Sequence, residues 1–297
     1  MAGKSRAIDK LVAGFWRLND WGLGSLECAN FIAQCIEAGV TAVDHADIYG
    51  GHTCEARFGE ALKQAPELRE QLTLITKCGI VLQQGVRAVP GQVNHYNSSR
   101  AHIIASAQQS LKNLATDRLD VLLIHRPDYL MDADEVAEAF NTLRRNGDVL
   151  AFGVSNFTPA QFSLLQSRLD FPLITNQIEC SPYEMKALDD GTLDQCQQLG
   201  IHPMLWSPLA GGRLFNQGDA KAHRLRQALS EIGEEIGARG LDQVVYAWLN
   251  QHPSRPSIVL GTGKIERIHA AVAAQHLTMT REQWYRIWQA SKGHAVP

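Results

Sequence analysis

The 297-residue sequence has no long apolar run, no C-x-x-C pair, no block of like charges and no G-x-G-x-x-G loop. Each absence removes a class of protein. Without a stretch of roughly 20 apolar residues no helix can span a bilayer, so no membrane partner is expected. Lys+Arg 28 against Asp+Glu 31, a net charge of −3, offers nucleic acid nothing to hold. The six cysteines (Cys28, Cys35, Cys54, Cys78, Cys180, Cys196) are scattered, and the first residues show no secretory apolar region with a cleavage site. A reduced cytoplasm is therefore the expected location. The missing glycine loop leaves a doubly wound dinucleotide site without support.

What is present is alternation. With 45% hydrophobic residues the chain can bury a large core. Apolar strand candidates at 12–17, 41–51, 72–77, 121–125, 150–154, 173–178, 202–208 and 257–261 are separated by stretches whose apolar residues recur at helical spacing, such as Phe31, Ile32, Cys35 and Ile36. Helix starts are marked by Thr158-Pro159 and by Thr280-x-x-Gln283, and stops by Gly39 and Asn146-Gly147. Eight strands, eight helices and two extra helices with no linker predict one (β/α)8 TIM barrel, a single domain over 1–297. Residues 79–99 carry no periodicity and read as a loop belonging to a substrate pocket.

In such a barrel the strand carboxyl ends build the active site. There the sequence places Asp44, Tyr49, Lys77 and His125. A lysine ending a buried strand needs an anion, and Asp44 on the preceding strand can supply it. Alone, that pair would be structural. Tyr49 changes the reading, because an adjacent ammonium stabilises phenolate, lowers the phenol's pKa and makes a usable general acid. His125 alone could be a barrel histidine bonded to a carbonyl; beside Tyr49 it can orient a substrate oxygen. Two rivals stand against this. Asp44, His45, Asp47, His52 and His125 are metal-ligand types, but Asp44 and His45 point to opposite faces of a strand, so no metal is expected. Lys77 could also be a Schiff-base lysine. Near the end, Gly261-Thr262-Gly263-Lys264-Ile265-Glu266-Arg267 runs into a helix start with two cations, suited to an anion.

Taken together these residues resemble an aldo-keto reductase along essentially the whole chain, nearest the bacterial oxidoreductases and the potassium-channel β-subunits. The matching motifs are Asp44-x4-Tyr49-Gly50, Thr76-Lys77, Ile124-His125-Arg126-Pro127, Gly153-Val154-Ser155-Asn156-Phe157, Asn176-Gln177-Ile178-Glu179 and Trp206-Ser207-Pro208-Leu209. The resemblance implies that Asp44, Tyr49, Lys77 and His125 form a catalytic tetrad reducing a small carbonyl compound with NADPH. It implies that Ser155, Asn156 and Gln177 hold the nicotinamide carboxamide, that Trp206 stacks on the ring, and that Ser207, Leu209 and Gly211 follow the pyrophosphate. Gly261, Thr262, Gly263, Lys264 and Arg267 fall on the segment for the adenosine 2′-phosphate. Ala270 and Ala271 depart from the acidic residue and asparagine usual one turn on. Trp16 and Trp21 are expected in the pocket wall. The alternative is a nicotinamide-sensing regulatory barrel. The oligomeric state is open, and a monomer is compatible with the sequence.

Overall fold

The computed structural model describes residues 8–87, 89–216 and 218–297, so that residues 1–7, Ala88 and Gln217 lie outside it. Eight parallel strands close a barrel: β1 Leu11–Gly14, β2 Ala42–Asp44, β3 Thr73–Cys78, β4 Leu119–Ile124, β5 Val149–Ser155, β6 Leu173–Glu179, β7 Met204–Trp206 and β8 Ser257–Leu260. They neighbour one another in chain order, and β1 pairs with both β2 and β8, so no edge is left open. The expected TIM barrel is the observed fold. Leu241–Asn250 and Arg281–Lys292 are the two helices added to the repeat.

Local chemistry sets the helix starts. Asp132 accepts from the amides of Asp134 and Glu135, while Thr158 with Gln161 and Thr280 with Gln283 form capping boxes. The strands bury both faces, as parallel strands covered by helices must. Val12, Ala42, Ile75, Val121, Leu123, Ala151, Met204 and Val259 fill the barrel interior. Val43, Leu74, Leu122 and Phe152, one residue out of phase, pack outward against the helices.

Several expectations are corrected: the candidate at 41–51 is a strand only over Ala42–Asp44, so that Tyr49 stands on a turn beyond it, and the candidate at 202–208 only over Met204–Trp206. The first strand ends at Gly14, not Arg17, because the chain turns there into a short 3-10 helix at Leu18–Trp21. The stretch 79–99 is not structureless: Ile80–Val81 pairs antiparallel with His95–Tyr96. Strands of two residues are too short to show a period in sequence. Ser98 ties the segment to the loop after β4 by donating its N–H and Oγ to Asp128 at 3.0 and 2.9 Å.

Candidate active site

The site is the next step of the inward alternation. Two residues beyond Ala42, Ile75, Leu123 and Met204 stand Asp44, Lys77, His125 and Trp206, each aimed from the barrel interior toward its carboxyl mouth. Lys77 is fully buried, and its ammonium donates to Asp44 Oδ2 at 2.8 Å, to the His45 carbonyl at 2.7 Å and to the Tyr49 oxygen at 2.9 Å. All three of its protons are spent. The Tyr49 oxygen is the acceptor in that contact, so its own O–H remains to be donated elsewhere. Asp44 uses its other oxygen, Oδ1, to accept from Gln177 Nε2 at 2.8 Å.

Burial works against the charge of Lys77, yet Asp44 and Tyr49 together raise its pKa above the ordinary lysine value. That permanent ammonium, saturated with acceptors, is no amine nucleophile, which removes the Schiff-base alternative. For Tyr49 the balance differs from the sequence expectation. Burial raises the phenol's pKa, and Lys77 pulls it down without cancelling the rise, so the proton is held more firmly than in a free tyrosine. Proximity to a cation was legible in sequence; the depth of the phenol was not. His125 is pushed well below the usual imidazole range, first by burial and then by Lys77 and Arg126, and is neutral at physiological pH. Its ring meets the Tyr49 ring edge-on at 5.9 Å. Its Nδ1 is buried without a partner, which leaves Nε2 as the ring nitrogen open to a bound molecule.

His45 points the other way, as alternation requires, stacked on Phe15 at 5.0 Å and edge-on to Phe58 at 4.3 Å. Burial drives its pKa down to about 3. Among the described residues no three His, Cys, Asp or Glu side chains converge on a common point suited to a metal. Tyr49 begins a short turn in which Gly50, Gly51 and His52 all have positive φ (60°, 63° and 74°). A Cβ on Gly50 would strike Asn19, so glycine is required there for both reasons.

The expected carboxamide ligands form one cluster beside the tetrad. Ser155 Oγ donates to the Gln177 carbonyl at 2.9 Å, and Asn156 Nδ2 donates to Ser155 Oγ at 2.8 Å and to the His125 carbonyl at 3.2 Å. Trp206 Nε1 donates to Asn156 Oδ1 at 3.0 Å. Asn156 and Ser207 leave β5 and β7 in left-handed conformations, φ 62° and 51°. Ser207, Leu209 and Gly211 then form a tight turn in which Gly212 N–H donates to the Leu209 carbonyl at 3.0 Å. The Gly261-Thr262-Gly263 segment leads into the helix Ile265–Ala274, with Lys264 at its cap. Lys264 and Arg267 are exposed, and neither side chain has a hydrogen-bond or ion-pair partner among the described residues. Ala271 is buried, and the Ala270 carbonyl accepts from Gln243 of Leu241–Asn250, so small residues there let two helices approach.

Trp21 is half-buried against Phe15 and Phe31, at 5.3 and 5.5 Å, and a Cβ on Gly263 would lie 2.5 Å from its ring. It is brought to the 261–263 segment. Trp16 is 57% exposed at the barrel mouth, with Arg17 over its ring at 5.1 Å. Sequence reasoning gave Arg126 no role, although a charge directly after a strand-end histidine is a signal. It also missed that Gln177 holds Asp44 across 133 positions, for which the sequence carries no signal.

A parallel barrel thus carries a buried Asp–Lys–Tyr chain and a histidine together at its carboxyl mouth. The chain belongs to the aldo/keto reductase family, whose profile matches residues 10–292. It is 55% identical to the oxidoreductase YdhF of Escherichia coli K12, over 100% of this chain and 98% of that one. It is 42% identical to a 6-dehydroglucose reductase of Agrobacterium fabrum, over 97% and 96%. Its fold matches that of an aldo/keto reductase from Klebsiella pneumoniae solved with NADP and acetate, with a TM-score of 0.76, 20% identity and 98% and 93% of the chains covered.

Proposed function

We propose that the protein is an NADPH-dependent reductase that converts an aldehyde or ketone into an alcohol, with Tyr49 as the proton donor. The observation that carries this reading is the threefold engagement of Lys77, which spends every ammonium proton and leaves the Tyr49 hydroxyl hydrogen free beside His125. A carbonyl oxygen placed between Tyr49 O–H and His125 Nε2 is polarised by two donors, with the neutral imidazole protonated at Nε2. As negative charge develops on that oxygen, Tyr49 passes its proton across, and Lys77 stabilises the phenolate left behind. Asp44 and Gln177 hold the lysine in place. His125 orients the substrate.

The residues present fit a nicotinamide dinucleotide phosphate. Ser155, Asn156 and Gln177 group polar donors and acceptors beside the tetrad, and the Trp206 indole supplies a flat face next to them. A Cβ on Gly211 or Gly261 would meet nothing within 4 Å, so these turns leave room for a phosphate chain. The unpaired Lys264 and Arg267 at a helix start suit a 2′-phosphate. When bound, the dihydronicotinamide supplies the hydride that the carbonyl carbon receives. The names of the relatives, a 6-dehydroglucose reductase among them, and the NADP in the Klebsiella protein support the same reading. The test is NADPH oxidation followed by absorbance against aldehydes, dicarbonyls and ketones. Binding of NADPH without consumption across the whole panel would sink the reading and favour the nicotinamide-sensing barrel.

A further inference from the structure

One charge at this site is not used by the reaction described above. Arg126 follows His125 at the end of β4, half-buried, and its guanidinium lies over the Trp206 ring, 5.6 Å from the centroid. Trp206 is tied through Asn156 to the carbonyl of His125, so the arginine is brought back beside the histidine it follows in sequence. Stacking holds it there. No carboxylate pairs with it among the described residues, and Glu179, on β6, is paired with Arg213 at 3.4 Å. The charge of Lys77 is balanced by Asp44. Arg126 is thus a cation near the tetrad with no carboxylate paired to it by contact among the described residues, and its charge is felt by Glu179 as well as by Tyr49 and His125.

A guanidinium carries five N–H donors in a planar fork, and here none is spent on a described residue of the protein. Donors in a partly desolvated pocket are costly when unmatched and reward a ligand that matches them. We propose that Arg126 recognises the substrate, its fork bonding acceptor oxygens beside the reacting carbonyl, so that the substrate class is carbonyl compounds flanked by a carboxylate or by hydroxyls. Plain alkyl aldehydes offer this residue nothing. The assignment rests on the reductase reading above, because His125 and Tyr49 fix where the carbonyl oxygen sits and hence which part of the molecule meets Arg126.

The experiment compares wild type, Arg126→Ala and Arg126→Lys at saturating NADPH with three substrates: propanal, glyceraldehyde and glyoxylate. In Arg126→Ala the ratio of kcat/KM for an oxygenated substrate to that for propanal should drop at least about tenfold, through KM, since each bond from a charged donor carries that much discrimination. Arg126→Lys should recover part of it for glyoxylate, as a point charge without the fork. A drop confined to glyoxylate assigns the contact to a carboxylate, and one confined to glyceraldehyde assigns it to hydroxyls; either supports the proposal. Equal losses for all three substrates would overturn it. So would a weakened NADPH dissociation constant, read by fluorescence titration, with the substrate ratio unchanged, which would place Arg126 in the service of the cofactor. If wild type oxidises NADPH with none of the three and with no member of the wider panel of aldehydes, dicarbonyls and ketones, the reductase reading itself fails and the proposal with it.

Discussion

A buried ion pair stands beside each end of strand β3, and the two pairs differ in what they are bonded to. At its amino end Arg69 donates to Asp120 at 2.9 Å, to Thr116 Oγ1 at 2.6 Å and to the carbonyls of Leu72 and Arg118, while Asp120 also accepts from the Leu74 amide at 2.9 Å. Arg69 makes four hydrogen bonds, all to protein groups, and the pair lies at the amino end of the barrel. At the carboxyl end Lys77 and Asp44 are as deeply buried, but their network runs on to a phenol with a free proton and a histidine with an open nitrogen. Burial and charge are common to both pairs. The open donors at one end make that end chemical.

The sharpest test of this contrast is Tyr49→Phe, which removes the free proton and keeps the ring. Turnover of every carbonyl should fall by about 10² to 10⁴, the usual range for general acid catalysis, while NADPH still binds. Near-normal kcat would show that the proton comes from elsewhere.

The next test compares the pairs directly. Arg69→Ala and Lys77→Met each strand a buried carboxylate, and each should cost about 3–5 kcal/mol of stability in thermal or denaturant unfolding. Only Lys77→Met should also abolish kcat of the folded fraction. A folded Arg69→Ala protein without activity would erase the distinction between the two ends.

Smaller in effect is Arg267→Ala. Loss of a charge-assisted hydrogen bond should raise KM for NADPH by about tenfold or more and leave KM for NADH nearly unchanged. Equal losses with both cofactors would mean that 261–267 does not read the 2′-phosphate.

The gentlest test is pH. Reduction needs Tyr49 protonated, and a phenol whose pKa is raised above its ordinary value of about 10 keeps its proton throughout the neutral range. His125, held well below the usual value of about 6.5, does not change charge there either. Reductive kcat at saturating substrate should therefore be flat from about pH 6 to 9 and fall only as pH rises beyond about 10. A loss of rate as pH falls through about 6.5 would show that His125 takes up a proton there and that burial does not hold it neutral.

The sequence by itself determined the barrel and the strand ends that carry Asp44, Lys77, His125 and Trp206. Those are local facts: a side chain's face on a strand depends on its neighbours one and two positions away, and apolar runs stopped by glycine or proline display that period. Tertiary structure decided the rest. Closure of the barrel set Gln177 against Asp44 and brought Arg126 over Trp206, and Ile80–Val81 paired with His95–Tyr96 outside it. The direction of the Tyr49 pKa belongs here as well, because desolvation sums over everything packed around the phenol, whereas sequence displays only the cation beside it.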